Sequence, residues 1–219
     1  MITKMDTGPK SSKLVTPKQD FGSLLRGELG SIDPKRLFFI SDTHFDDDRK
    51  MQSRNRPFDD VESMNRAIVK NWNEAVGEGD IVIFVGDMTY KGADRDAAYW
   101  TERLHGNILF IKGNNDIGVE NAQPHFTLTF KGKKFYIVHD PDGAPQRLGN
   151  DTWLIHGHMH DKDLDDFPFV HVTKKRINVS VEVLGYVPVS LDTLLSVELQ
   201  KLKHVKRLAD LSVPIANAA

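Results

Sequence analysis

At 219 residues, the chain has the length for one domain with a substantial core, and its formal net charge of −2 gives no general affinity for nucleic acid or an anionic membrane. The absence of cysteine excludes disulfides, thiolate metal sites and cysteine nucleophiles, so any metal must be held by His, Asp, Glu or Asn. No apolar stretch reaches the length of a membrane span and the N-terminus lacks an apolar signal core, so a cytoplasmic protein is expected.

Residues 1–34 carry Gly8-Pro9, Ser11-Ser12, Pro17 and Gly27 without a sustained period, and are expected as a flexible extension ahead of one domain over 35–219. Short apolar runs follow, each stopping at polar residues. Leu37 to Ile40 stops at SDTH, Ile81 to Val85 at GD, Ile108 to Ile111 at GNND, Phe135 to Val138 at HD and Trp153 to Ile155 at HGHMH. Such runs predict strands buried on both faces. Between the first two, Val61, Met64, Ile68, Val69, Trp72 and Val76 fall at helical spacing, with Gly77 and Gly79 as the stop. A second helix is predicted around Asp94 to Leu104. A hairpin turning at Gly132 is predicted to join Phe126–Phe130 to Phe135–Val138. Another strand is predicted over Ile177 to Val183, and a last helix carries Leu191, Leu194, Leu195, Leu199 and Leu202. Helices and strands alternate early and strands dominate later, which predicts a layered α/β sandwich with two sheets inside.

The polar strand ends are the candidate site. In α/β folds, reactive groups gather where the carboxyl ends of strands share one edge. Here those ends offer Asp42 and His44, then Asp87, Asn114, His139, and His158 with His160. An Asp after a strand is often a turn former, and a lone His139 is often a hydrogen-bonded core histidine. The conjunction is stronger than its parts, because five successive ends offer oxygen or nitrogen donors. Seven ligands exceed one ion's needs but suit two divalent ions sharing a carboxylate, and such a pair can clamp a phosphoryl group.

In this order, SDTH, VGDM, KGNND, VHD and HGHMH resemble the pattern of the calcineurin-like metallophosphoesterases: D-x-H, G-D, G-N-H-D/E, H and G-H-x-H. The resemblance covers residues 37 to about 190. RNRPF, NWNEAV and INVSVEVLGYVPVSL are similar to a small prokaryotic and phage branch of that family. The resemblance implies a four-layer α/β/β/α sandwich with two central mixed β-sheets. It also implies roles: Asp42, His44 and His160 on a first metal, Asp87 bridging, and Asn114, His139 and His158 on a second. Manganese is the expected metal, with Fe, Zn, Ni or Mg compatible with the same all-N/O ligand set.

One position departs from the family pattern. Asn115 stands where the family carries the histidine assigned to contact phosphate and protonate the leaving oxygen. An amide donates a hydrogen bond but is no general acid at neutral pH. The expected activity is therefore hydrolysis of phosphodiester or phosphoanhydride bonds by in-line attack of a metal-bound hydroxide. The expected substrate is small and phosphorylated, nucleotide-derived compounds included. Alternatives are a phosphomonoesterase or protein phosphatase on the same site, and a non-catalytic metal-binding scaffold, although such scaffolds typically lose ligands and this chain keeps seven. A nuclease would require a basic groove that the charge does not suggest. No interface between copies is legible.

Remaining features have two readings each. Arg56 is either a bidentate phosphate contact or a surface arginine pairing with Asp59 or Asp60. Asp116 either orients a metal-bound histidine or caps its loop. Asp46-Asp47-Asp48 and the acids at 161–166 are expected as solvated loops rather than ligands. Lys174-Lys175-Arg176 can steer an anionic substrate, and Lys201, Lys203, Lys206 and Arg207 are expected on the polar face of the last helix. Trp72 and Trp100 are expected in the core.

Overall fold

The computed structural model describes residues 32–196, except 117, 118 and 120, together with residues 205–211. The chain forms two mixed sheets in an α/β architecture, as expected. In the first, β1 (Leu37–Ile40), β2 (Ile81–Phe84) and β3 (Asn107–Phe110) run parallel, and β9 (Val189–Ser190) adds antiparallel to β1. The sheet order is β3-β2-β1-β9. The second sheet comprises β4 (Phe126–Phe130), β5 (Lys133–Ile137), β6 (Thr152–His156), β7 (Val170–His171) and β8 (Arg176–Asn178), in the order β4-β5-β6-β8-β7. Within it β5, β6 and β8 are parallel.

All four residues of β1 are buried, as an apolar run covered on both faces requires. Strand β4 instead alternates buried and exposed, with Thr127 and Thr129 facing outward. The β4–β5 hairpin closes with Phe130 opposite Lys133, and its two turn residues, Lys131 and Gly132, take φ of 47° and 80°. That is the left-handed geometry a tight two-residue hairpin turn demands. The two sheets are tied where their strands end: Ser41 N–H donates to Val179 O at 2.9 Å, and Val181 N–H donates to Ser41 O at 3.1 Å.

Helix α1 (Asp48–Ser53) follows β1, and α2 (Val61–Ala75) follows it. Asp60 caps α2, accepting from Ser63 N–H at 2.6 Å, while the Ser63 side chain returns a bond to the cap. Met64, Ile68 and Trp72 form its buried stripe at the helical period. Trp72 packs against Phe84 of β2 at 6.2 Å between ring centroids and donates its indole N–H to His105 O at 3.0 Å. Burying each such large apolar side chain contributes roughly 1.5–3 kcal/mol. Trp100, in the short α3 (Ala97–Thr101), stacks on Phe45 at 4.2 Å.

Several expectations need correction. The strand predicted over Ile177 to Val183 ends at Asn178, and a short buried helix, α4 (Val181–Leu184), follows, stopped by Gly185 at φ 72°. Every residue of α4 is buried, so the run shows no amphipathic period from which to recognise a helix. Asp46 and Asp47 are not solvated. Asp47 caps α1 through Lys50 N–H, and Asp46 takes the Arg95 guanidinium and the Asn65 amide. The last helix, α5 (Leu191–Ser196), buries Leu191 and Leu194, whereas Leu199, Leu202, Lys201 and Lys203 lie outside the described residues. Lys206 and Arg207 lie beyond α5 and pair with Asp165 and Asp161 at 2.8 and 3.1 Å. Residues 1–31 of the expected extension are also outside the described set; Ile32 packs on the core, and Pro34–Arg36 make a 3-10 turn capped by Asp33. Among the described residues, no helix is long and apolar enough to cross a membrane.

Candidate metal centre

Each parallel strand delivers its polar end to one edge. Asp42 and His44 follow β1, Asp87 follows β2 and Asn114 follows β3. His139 follows β5, and His158 and His160 follow β6. Five of these seven, Asp42, His44, Asp87, His158 and His160, hold left-handed backbone with φ between 47° and 67°. Non-glycine residues rarely adopt that region, and such strain gathers where a site over-determines the backbone. Two glycines permit the approach of the loops. A Cβ on Gly113 would stand 2.2 Å from Asp87 Oδ1, and one on Gly157 would stand 2.6 Å from Asp42 Oδ2.

The donor atoms converge in two groups that have Asp42 in common. Asp87 Oδ2 lies 3.5 Å from His44 Nε2 on one side and 3.5 Å from His139 Nε2 on the other. His160 Nε2 lies 3.6 Å from Asp42 Oδ1, and the ligand atoms of Asp42, His44 and His160 fall within 4.8 Å of one another. The same holds for Asp42, Asp87 and His139. Asn114 Oδ1 sits 3.1 Å from His139 Nε2 and 2.9 Å from His158 Nδ1. The structure thus brings together all seven residues expected from the sequence.

The surroundings fix how these groups present themselves. His139 Nδ1–H donates to Val85 O at 2.7 Å and His160 Nδ1–H to Glu182 Oε1 at 2.9 Å, which turns both Nε2 atoms toward the cluster. Burial by itself would raise the Asp87 carboxyl, yet His139 holds it well below the usual carboxylate range. Burial would lower the His139 imidazole, but Asp87 and Asp42 push it up to about 9. Burial wins at His44, whose imidazole is lowered. Asp42 Oδ1 and His44 Nε2 are buried with no hydrogen-bond partner. Buried polar atoms are normally satisfied, and orphans that face one another across an all-N/O cluster fit divalent cations of the harder or borderline kind.

The second tier of contacts includes a residue that the sequence reading passed over. Glu182, on α4, accepts from His160 and from Arg56 Nε at 2.9 Å. Burial would raise its carboxyl, but the Arg56 charge and the His160 hydrogen bond hold it well below the usual range. Arg56 is itself buried, donating to Asp42 O and Thr43 O at 2.7 Å each. The surface reading of Arg56 is corrected: its guanidinium is buried and braces the Asp42 loop, pairing with Glu182 and not with Asp59 or Asp60. The one signal for Glu182 was a lone carboxylate in the apolar run VSVEVLGYV, since an unpaired acid does not survive such burial.

Asp116 caps its loop. Its carboxylate accepts from the backbone N–H of Asp87, Met88 and Gly113, each at 2.9 Å, and burial pushes the carboxyl above its ordinary range. Asn115 grips the Asp87 carboxylate, with its backbone N–H on Oδ1 at 2.8 Å and its side-chain amide on Oδ2 at 2.6 Å.

Residues 36–176 match the model of the calcineurin-like phosphoesterase superfamily domain. The chain is 42% identical over 178 residues to an uncharacterized protein of Methanocaldococcus jannaschii, covering 81% of this chain and 98% of that protein. It is 33% identical over 82 residues to the gene 66 protein of Mycobacterium phage L5, covering 36% of this chain and 39% of that protein. Among solved structures, it is similar to a protein of unknown function from Aquifex aeolicus, with a TM-score of 0.58 and 21% identity over 73% of this chain and 97% of that one.

Proposed function

We propose that this chain, which belongs to the calcineurin-like phosphoesterase superfamily, is a dinuclear-metal hydrolase of phosphodiester or phosphoanhydride bonds in small phosphorylated substrates, nucleotide-derived ones among them. The observation that carries the reading is Asp87 Oδ2 standing 3.5 Å from a histidine nitrogen of each group, as a carboxylate shared between two ions would. Asp42, His44 and His160 would hold one ion and Asn114, His139 and His158 the other, with Asp87 common to both. When bound, two such ions supply a nucleophilic hydroxide at neutral pH and charge to clamp the phosphoryl oxygens for in-line displacement. Manganese is the favoured metal, and the cysteine-free chain suits a reducing cytoplasm.

The chain's own residues supply orientation. Glu182 and Val85 O fix the histidine tautomers, and Asn115 and Asp116 hold Asp87 and its loop from side chain and backbone. Asn115 spends one amide hydrogen on Asp87, which leaves the second to donate to a phosphoryl oxygen. Neither hydrogen is acidic enough to protonate a leaving oxygen, and that help is worth about 10²–10⁴ in rate. Cyclic phosphates, aryl esters and anhydrides need it least, so they are the favoured substrates over alkyl monoesters.

The test is hydrolysis of bis-p-nitrophenyl phosphate beside p-nitrophenyl phosphate with Mn²⁺, Zn²⁺, Ni²⁺ and Mg²⁺ in turn. Metal-dependent preference for the diester supports the reading, and a monoester preference overturns the substrate assignment.

A further inference from the structure

A cavity of about 310 Å³ is lined by Asp161, which follows His160 in the chain, and by Glu182, which accepts from His160. Arg54, Asn55 and Pro57 come to it from the loop after α1, and Asp161 comes directly after His160. Glu182, Tyr186 and Arg207 complete the walls that matter here. Its volume lies at the lower end of the range for small-molecule sites.

Two arginines and two acids line the cavity, and both acids are already paired. Glu182 is taken up by Arg56 and His160, and Asp161 accepts from Arg207 at 3.1 Å. Arg207 donates a second bond to Glu182 O at 2.8 Å and has further N–H groups to give. Arg54 makes no side-chain hydrogen bond or ion pair among the described residues, so its guanidinium is a surplus cation. A half-buried guanidinium of this kind is a ready partner for phosphate.

The wall holds left-handed backbone: Gly185 and Tyr186 are consecutive, at φ 72° and 65°, and Asn55 takes φ 48°. An aromatic residue held in that region is uncommon, and it persists where the surrounding fold over-determines it. The Tyr186 ring meets Phe58 in a T-shaped pair, at 4.9 Å between centroids, and lines the cavity together with Arg54. A ring-bearing anion meets both features.

We propose that this cavity binds an organic phosphate of nucleotide size, its phosphate held by Arg54 and Arg207 and its ring laid along Tyr186. Asp161 and Glu182 make the site contiguous with His160, so the ligand sits beside the metal centre and not on it.

The experiment is a titration of the ¹⁵N-labelled, Mg²⁺-loaded full chain with 5′-AMP, adenosine and inorganic phosphate, followed by amide chemical shifts. Saturable shifts at Gly185, Tyr186 and Arg207 with 5′-AMP are expected, with adenosine and phosphate each binding at least tenfold more weakly. Arg54→Ala should weaken 5′-AMP binding by about tenfold or more, as loss of a charge-assisted hydrogen bond does, and Arg54→Lys should fall between. Shifts confined to Asn114 and His158, or an Arg54→Ala affinity equal to wild type, would overturn the site. Adenosine binding as tightly as 5′-AMP would overturn the anion assignment. The readout requires no turnover, so it succeeds or fails separately from the hydrolytic activity.

Discussion

Glu182 Oε1 lies 2.9 Å from His160 Nδ1, and the same oxygen accepts from Arg56, which in turn holds the carbonyls of Asp42 and Thr43. One buried acid thereby orients a candidate ligand histidine and, through Arg56, braces the loop that carries two other candidate ligands. Outer contacts of this kind are typically worth 10–100-fold in metal affinity.

Glu182→Gln is therefore expected to weaken binding of one of two ions by about 10–100-fold, read by metal analysis after dialysis. Because Arg56 then loses its buried counter-charge, a destabilisation of roughly 3–5 kcal/mol should accompany it in denaturant unfolding. Unchanged metal content in a folded variant would remove Glu182 from the site.

Position 115 separates substrate classes. Asn115→His should raise turnover of an alkyl phosphate by about 10²-fold or more and that of bis-p-nitrophenyl phosphate far less, because only the former needs a proton on its leaving oxygen. Steady-state rates on the two substrates decide it; equal effects would contradict the leaving-group argument.

Gly113→Ala tests the close approach of two loops. The added methyl would lie 2.2 Å from Asp87 Oδ1 and 2.4 Å from its backbone N. The Asn114–Asn115 loop must then move by an ångström or so, and about 10²-fold loss of kcat is expected from such misplacement. Kinetics with bis-p-nitrophenyl phosphate, alongside metal content, provide the readout.

In the core, Trp72→Ala should cost about 3–5 kcal/mol by denaturant unfolding, for it empties the fully buried contact between α2 and the first sheet. Trp72→Phe should cost less but more than its volume alone explains, since His105 O loses its donor.

The clustered polar residues are legible because a buried parallel strand must stop, and it stops at residues that can bear polarity. Each of the five apolar runs ended on a donor, so strand prediction and site prediction were one operation. Arg56 and Glu182 were not legible in the same way. Their partner lies 126 positions away in the chain, and no local spacing encodes that pairing. Helix α4 was hidden by its own burial, because Val181, Val183 and Leu184 are covered on every side and so share a buried strand's pattern. Strands β7 and β9, of two residues each, are too short to carry any period. Asp46 and Asp47 misled for the opposite reason: three acids in a row resemble a solvated loop until Arg95, Asn65 and the α1 backbone claim two of them.

The proposed hydrolysis depends most on Asp87 serving two ions at once. Mn²⁺ would be titrated into metal-free protein while bound metal and bis-p-nitrophenyl phosphate hydrolysis are followed together, with Asp87→Asn in parallel. Turnover rising only as the second ion binds, to two per chain, and lost in the variant together with an ion, is the predicted result. Full activity at one ion per chain, or two ions bound without turnover, would contradict it.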